Sequence, residues 1–529
     1  MSSSTGRRRA GLLIPLFSCP STASWGIGDI ADIEPITTWM AAAGQRVLQL
    51  LPLNEMAPGQ QSPYSAISAM AIDPIFISVP LVAEFAARGG DAALALEDRE
   101  ALRAVRRAPR ILFHDVRRLK LRALRASFER FLEVEWRSGS DRDRALQAYV
   151  NEQAWWLEDY GLFRALHARE GERPWMEWPE ALQRRDPPAI DRARRELADE
   201  VLFHQYLQWI AGTQWQRART HAHAHGVALF GDLPFMVDSD SADVWVRQHQ
   251  FRLDLSVGAP PDAFSASGQD WGMPVYQWSA LAAEDYRWLR ERARRSADLF
   301  DGYRVDHLVG FYRTYGRAKD GGEGFFTPPD EPAQRALGET VLDLFRGAGA
   351  EIIAEDLGTV PDFVRASLAR LGIPGYRVFR WERQWHDEGR PFRDPSDYPP
   401  VSVAASGTHD TEPVAVWWDR ASETERRQVS DLPSVKRLTA GADLTHRPFD
   451  ATVRDTLLEI LFASASELLL VPVQDAFGWR DRINEPATVS DGNWTFRLPW
   501  PVDRLDQIPE ALERKKQLRA WSEAYGRQG

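Results

Sequence analysis

"EIIAEDLG", residues 351–358, is a short apolar run that ends in two neighbouring acids and a glycine. Ile352 and Ile353 are β-branched, and a run of this length bounded by loop residues reads as a buried strand. Ionised carboxylates are costly in such surroundings, so Glu355 and Asp356 need a reason to stand at its tip. The pattern recurs. "VALFGDLPF" (227–235) carries Asp232 just past an apolar run, "GYRVDHLVG" (302–310) places Asp306 and His307 after Tyr303–Val305, and "VSVAASGTHD" (401–410) ends in His409 and Asp410. Between these runs lie amphipathic stretches such as "ALAAEDYRWLRERARRSADLF" (280–300) and "GETVLDLFRGAGA" (338–350), with apolar residues at helical spacing. Strand–loop–helix repetition specifies an α/β fold with a parallel sheet and crossover helices. In a parallel barrel the C-terminal ends of all strands open on one face, where active sites are built. Acids at four strand ends, far apart in sequence, are therefore expected to converge.

The chain has 529 residues, 44% hydrophobic and 27% charged, enough for one large barrel-type domain with insertions. From about 85 to 200 it becomes arginine-rich with a helical period, as in "DVRRLKLRALRASFERFLEVEW" (115–136), and reads as a helical block inserted into the α/β unit. No internal repeat or low-complexity linker divides the chain, so residues 1–529 read as a single catalytic unit, with about 250–280 as a loop region beside the site. A net charge of −11 without a long basic run argues against nucleic acid and gives no attraction to anionic membranes. A single cysteine, Cys19, excludes an intrachain disulfide framework and a cysteine-based zinc site, and reads as a small buried residue. No apolar run reaches the length of a membrane helix. Arg7–Arg9 ahead of "AGLLIPLFSC" resembles a secretion signal, but the run is short and Pro15 and Phe17 fit it badly. The cytoplasm is the expected location. The 21 Trp are the unusual count: most are expected in the core, while flat aromatic faces also suit sugar rings.

Two chemistries use several carboxylates without cysteine: divalent-metal catalysis and glycoside cleavage. Arg304 lies two residues before Asp306, so on a strand both side chains share a face. A guanidinium there favours a charged Asp306, which suits a nucleophile and repels a metal. Glu355, beside Asp356 and an apolar wall, is expected to hold its proton more tightly, which suits a general acid. The pattern leans to sugar chemistry. Two weaker motifs read as structure. "GIGDIA" (26–31) matches a dinucleotide-type glycine pattern but follows no strand directly, so it reads as a tight turn. "HAHAH" (221–225) puts two histidines at i,i+4, which reads as a solvated helix end in preference to a metal site.

"GYRVDH", "IIAEDLG" and "GTHD" resemble, in order, the three catalytic segments of α-amylase-type enzymes. The flanking motifs narrow the resemblance to the 4-α-glucanotransferases, the amylomaltases or disproportionating enzymes of glycoside hydrolase family 77. These are "WGIGDIADI" (25–33), "VLQLLPLNE" (47–55), "SPYSAISAMAIDPIFI" (62–77), "GERPWMEWPEAL" (171–182), "GDLPFMVDSDSADVW" (231–245), "GAPPDAFSASGQDWGMPVYQW" (258–278), "LLLVPVQDAFGWRDRINEP" (468–486) and "NWTFRLP" (493–499). The resemblance implies a (β/α)8 TIM barrel with inserted, mainly helical subdomains, acting on malto-oligosaccharides and α-1,4-glucans by a retaining double displacement. It implies no cofactor, no metal, no nucleic-acid or membrane partner, and a monomer or small homo-oligomer. On the matching positions it makes Asp306 the nucleophile, Glu355 the general acid/base and Asp410 the stabiliser of the transition state. Arg304, His307 and His409 line the donor subsite, Asp232 is a further sugar-binding acid, Tyr64 an aromatic platform, and Gln269 and Trp271 belong to a loop over the bound glucan.

The chain departs from the family's pattern at Thr411–Pro413 after "GTHD", in "PGYRVFRWERQW" (374–385), and at Gly302–Tyr303. These touch none of the acids and bear on acceptor preference and chain length. A hydrolase of the same clan and a non-catalytic glucan-binding protein are the alternatives. The products formed from maltotriose separate the first from a transferase, and the presence of all three acids argues against the second.

Overall fold

The computed structural model describes residues 8–260, 268–320, 322–486, 488 and 490–529. Eight parallel strands close into a barrel: β1 (Arg9–Leu13), β2 (Val47–Gln49), β3 (Ala228–Leu233), β4 (Gly302–Val305), β5 (Glu351–Ala354), β6 (Gly375–Val378), β7 (Ser402–Ala405) and β8 (Leu468–Pro472). Each pairs with its neighbours in sequence, and β8 pairs with β1 in register Leu12↔Val471 to complete the ring. The expected (β/α)8 barrel is therefore the observed fold.

Alternating side chains of the strands fill the interior, as a small barrel requires. Val47, Phe230, Ile353, Val378, Val403 and Leu470 form this inner core. Gln49 enters it as well, satisfied by Tyr376, to whose hydroxyl its Nε2 donates at 3.0 Å. Gly302 is part of this packing: a Cβ there would stand 2.7 Å from the Phe230 ring, so the ring occupies the space a larger residue would fill.

The outer layer is built of helices α1 (Ile33–Ala42), α2 (Phe113–Val134), α3 (Asp141–Arg169), α4 (Ala198–Ala224), α5 (Arg287–Leu299), α6 (Glu331–Gly347), α7 (Asp362–Leu371), α8 (Ala451–Phe462) and α9 (Pro509–Ala524). Local chemistry fixes their starts. Asp330 and Asp450 accept hydrogen bonds from the backbone of Ala333 and Val453, capping α6 and α8. The strand–loop–helix repetition fails once. Between β6 and β7 the chain makes only the short 3-10 turns Phe379–Trp381 and Pro395–Asp397 and no α-helix. Proline, glycine and charged residues crowd this connection and leave no apolar stripe to bury.

Helices α2 to α4 all lie in the connection between β2 and β3. Lys120 of α2 is fully buried and ties this region to the loop after β1. Its Nζ donates to Asp29 Oδ2 at 3.3 Å and to the carbonyls of Ile75 and Ile77 at 2.8 and 2.9 Å. Of the 250–280 loop region, residues 261–267 lie outside the described residues.

The run that resembles a signal segment is a barrel strand: Ala10–Leu13 of β1 are all buried between β2 and β8. "GIGDIA" is the turn into α1, where Asp29 Oδ1 accepts the Ala31 amide at 3.2 Å. His221 and His225 stack at the end of α4, with His221 Nε2 at 2.9 Å from Thr38 Oγ1. No helix is long and apolar enough to cross a membrane.

Candidate active site

The C-terminal ends of β3, β4 and β5 lie side by side. Asp232 of β3 pairs in register with Arg304 of β4, and Val305↔Ala354 pair between β4 and β5. Asp306 and Glu355 are thus the first residues beyond two adjacent strands, which register alone brings together. Asp232 differs slightly from the sequence expectation: it lies within β3, one residue before the end. Asp410 stands five residues beyond β7, on the turn that follows.

Arg304 is buried and organises the floor. Its Nη1 donates to Asp232 Oδ2 at 2.5 Å and its Nη2 to Asp306 Oδ1 at 2.6 Å. The face shared by residues 304 and 306 therefore carries the expected ion pair. Tyr64 arrives from the β2–β3 connection. Its hydroxyl donates to Asp232 Oδ2 at 2.8 Å and accepts from Arg304 Nη1 at 3.1 Å. Its ring stacks on His409 at 5.4 Å between centroids and 20° between planes, and Trp494 backs both rings at 5.9 and 5.8 Å. His409 Nε2 lies 3.1 Å from the Tyr64 hydroxyl and 3.2 Å from Asp410 Oδ2. One continuous polar chain links Asp306, Arg304, Asp232, Tyr64, His409 and Asp410.

Glu355 is held separately. Its Oε2 accepts the His307 backbone N–H at 2.8 Å. His307 has φ of 44°, a left-handed conformation that costs a non-glycine residue strain and here turns its amide to the acid. The His307 ring packs edge-to-face on Trp271, with centroids 4.8 Å apart. Trp271 Nε1 donates to Gln269 Oε1 at 3.0 Å, so both loop residues join the site through His307. All ten residues marked out in the sequence meet in one place.

Asp356 does not. Successive residues leaving a strand point to opposite sides, and Asp356 turns outward to fix β6. Its Oδ1 accepts the Tyr376 amide at 2.8 Å, and its Oδ2 accepts from Arg365 and Arg377 at 3.1 and 3.4 Å. Of the two acids that open the question, one enters the site and one locks the neighbouring strand that supports it.

The carboxyl groups have been pushed apart electrostatically. Burial, with the Asp306 and Asp356 charges adding to it, raises Glu355 to about 7 against the opposing pull of Arg304 and the His307 amide. Asp410 is the reverse case. Burial opposes its charge, but His409, Asn484 and Arg304 outweigh it and hold the carboxyl down to about 2. Burial also lifts Asp232 to about 6 in spite of Arg304, and lowers His307 to about 4, so that its ring is neutral. Three buried polar atoms of the floor, Asp232 Oδ1, Arg304 Nε and His409 Nδ1, have no partner among the described residues. Orphaned buried groups are costly. Among the described residues no group of three or more His, Cys, Asp or Glu is arranged around a metal position.

Two contributors carried no role in the sequence reading. Asn484 Nδ2 donates to Asp410 Oδ1 at 2.7 Å, and Trp494 closes the aromatic stack. Both come from the long segment after β8, inside motifs that signal family but not contact. Asn484→Ala is expected to lower kcat/KM about 10- to 100-fold, the range for losing a hydrogen bond to a charged group. Steady-state rates measure it, and a change under twofold would deny Asn484 a part in orienting Asp410.

A closed parallel barrel with carboxylates, an arginine and aromatic faces gathered on its C-terminal rim is the frame of a carbohydrate-active (β/α)8 enzyme. Residues 14–503 match the family model described as 4-alpha-glucanotransferase. A 4-alpha-glucanotransferase of Chlamydia pneumoniae is 33% identical over 511 residues, covering 94% of this chain and 92% of its own. That of Thermus thermophilus is 32% identical over 531 residues, covering 96% and 99%. In fold, an amylomaltase from Streptococcus agalactiae superposes with a TM-score of 0.82 over 98% of this chain and 100% of its own, at 24% identity. The chain belongs to the 4-α-glucanotransferase family, the amylomaltases of glycoside hydrolase family 77.

Proposed function

We propose that the enzyme transfers a segment of an α-1,4-glucan to the 4-hydroxyl of an acceptor glucose or glucan by a retaining double displacement. Asp306 is the nucleophile, Glu355 the general acid/base and Asp410 the stabiliser of the transition state. The observation that carries this reading is the contrast between two carboxyls on adjacent strand ends. Asp306 is clamped by Arg304 at 2.6 Å, while Glu355 is raised to about 7. Divergent environments of this kind assign nucleophile and acid.

In the first half-reaction Glu355 protonates the glycosidic oxygen as Asp306 attacks the anomeric carbon. The C–O bond to the leaving glucan breaks and a glycosyl ester forms on Asp306. Arg304 engages only Oδ1 of Asp306, and no hydrogen bond among the described residues occupies Oδ2. In the second half-reaction the Glu355 carboxylate takes the proton of the acceptor's 4-hydroxyl, whose oxygen attacks the anomeric carbon and displaces Asp306. Asp410, charged and held by Asn484, faces the positive charge that develops on the sugar ring in both steps. Asp232, Arg304, His307 and His409 supply polar contacts to the donor sugar, and Tyr64 its aromatic floor.

Transfer requires that a sugar hydroxyl reach the ester before water does, through positioning and exclusion of solvent. Trp271, packed on His307 beside Glu355, is placed to cover that approach, with Gln269 bracing its indole. Incubation with maltotriose tests the whole reading: glucose together with longer oligosaccharides is expected, whereas shortening alone means hydrolysis. In Trp271→Ala the ratio of hydrolysis to transfer is expected to rise several-fold, about what loss of a water-excluding aromatic contact provides. An unchanged ratio removes the covering role.

A further inference from the structure

His167 lies fully buried in the last turn of α3, and no step of the proposed reaction uses it. Both of its ring nitrogens face carboxylates. Nδ1 is 2.8 Å from Glu172 Oε2, and Nε2 is 2.9 Å from Asp240 Oδ2. A neutral imidazole carries one N–H and can donate to only one of them. Glu172 is itself charged: burial opposes this, but His167 and Arg164 outweigh it and hold the carboxyl down to about 2. The ring between the two acids is therefore an imidazolium with two charge-assisted hydrogen bonds.

The two acids come from different parts of the fold. Glu172 follows the end of α3 with φ of 58°, and its amide donates to the His167 carbonyl at 2.8 Å. Arg164, one turn earlier on α3, spans Glu172 Oε2 at 3.3 Å and Glu55 Oε1 at 3.1 Å. Asp240 arrives from the loop between β3 and the short helix Ala242–Val246. Its Oδ1 accepts the Trp175 amide at 3.0 Å, and its own amide donates to Asp238 Oδ1 at 2.9 Å. Trp175 Nε1 donates to the neighbouring Ser239 carbonyl at 2.8 Å. Glu172, Asp240 and Arg164 are thus the charged groups about the ring, with Asp238 behind Asp240. Phe163 and Trp178 cover the rest of it, at 5.4 and 6.0 Å between centroids.

The loop held in this way, residues 234–241, underlies the active-site cover. At its start the Phe235 ring meets His307 edge-on at 5.8 Å, and the Phe235 carbonyl accepts from Tyr276 Oη and Arg292 Nη1 at 2.8 and 3.1 Å. At its far end Ser239 Oγ donates to the Gly272 carbonyl at 3.2 Å, next to Trp271. Trp271 and Met273 also pack on the buried cluster that contains Phe235, Met236 and Val237. Tyr276 and Arg292 fix the first half of the loop, while His167 and Trp175, both from the helical insertion, fix the second.

We infer that His167 is a positioning residue for transfer: its imidazolium staples the loop after β3 to the helical insertion and so holds the surface on which the Trp271 cover rests. The inference rests on the reading of Trp271 as that cover. Burial and Arg164 work against the ring's charge, but its hydrogen bonds to Asp240 and Glu172 outweigh them and raise it above the ordinary histidine value. A raised histidine contributes its full stability below the unfolded value of about 6.5 and loses it as pH rises through the folded one. The staple therefore loosens on the alkaline side, where water should gain on the acceptor. Glu355 drops out of this partition, because the same carboxylate takes the proton from water and from the sugar hydroxyl.

The test follows the hydrolysis-to-transfer ratio on maltotriose from about pH 6 to about pH 9, across the histidine range. In the wild type the ratio is expected to stay level at the acid end and rise about two- to threefold at the alkaline end, a weaker effect than loss of Trp271. In Asp240→Asn the amide keeps the Trp175 bond and offers an N–H to a neutral ring, so the ratio should no longer vary with pH. Asp240→Ala removes the staple at every pH. Its ratio should stay high throughout, and amide exchange in residues 236–246 should quicken about tenfold, the worth of one charged hydrogen bond. A level ratio in the wild type, or a rise that persists in Asp240→Asn, overturns the inference. So does a His167 ring that titrates at or below about 6.5 in carbon-13 NMR of histidine-labelled enzyme, a reading independent of turnover. A ratio that responds to Trp271→Ala but to neither Asp240 variant sinks the staple and leaves the cover and the reaction standing. A ratio indifferent to all three variants overturns staple and cover together.

Discussion

Asp306→Asn is expected to lower the transfer rate from maltotriose by about 10,000-fold or more, in line with removal of a covalent nucleophile. The amide keeps the shape of the side chain but has no charge with which to attack the anomeric carbon. The network around it predicts where the effect falls. Arg304 keeps its 2.5 Å bond to Asp232, and Asp232 keeps Tyr64, so the donor floor is preserved on one side of the substitution. Glucan binding measured by calorimetry should change by no more than about tenfold while kcat collapses, because the lost interaction belongs to the transition state. Mass spectrometry of the wild type quenched with substrate should find a glycosyl ester on Asp306 that the variant lacks. Activity within tenfold of wild type, or an ester on another residue, would refute the assignment.

The second large effect concerns the proton. Glu355→Gln is expected to lower kcat about 1,000-fold, within the range for removing a general acid that serves both half-reactions. The raised carboxyl gives this prediction a signature. Glu355 must carry its proton in the free enzyme to serve as acid, so kcat/KM should fall as pH rises through about 7. In the glutamine variant the residual activity should lose that basic limb. An α-maltosyl fluoride donor, whose leaving group departs without protonation, should recover the first half-reaction in the variant. If the variant's profile keeps its fall near 7, the titrating group lies elsewhere. Asp232, lifted to about 6, would then be the residue to examine.

Much of the site was readable because strand alternation translates directly into geometry. Arg304 and Asp306, two residues apart, face the same way, and the ion pair between them follows. Glu355 ends a β-branched run that carries it into the barrel mouth, where desolvation and the Asp306 and Asp356 charges raise its carboxyl. Asp356 shows the limit of the same reasoning. It looks like a second catalytic acid in one dimension, yet alternation sends it to the outer side, where Arg365 and Arg377 meet it. Asn484 and Trp494 were not assigned, because a segment of irregular backbone returning from β8 has no period from which to compute where a side chain ends. The first strand was obscured for another reason: arginines followed by a short apolar run describe a barrel strand and a signal segment equally well. The missing helix after β6 could not be foreseen from repetition, which predicts only that the pattern continues.

The pairing of Leu12 with Val471 has a consequence for biosynthesis. As the chain emerges from the ribosome, the first strand can find β2 within some forty residues, but its other edge waits for residues 468–472, more than four hundred residues further along. Until then the nascent protein carries an open row of amide and carbonyl groups flanked by apolar side chains, the kind of edge that recruits foreign strands. Ring closure is a contact between segments far apart in sequence and is correspondingly slow. Cellular yield should therefore depend more on how that early edge is shielded than on the strength of the finished core.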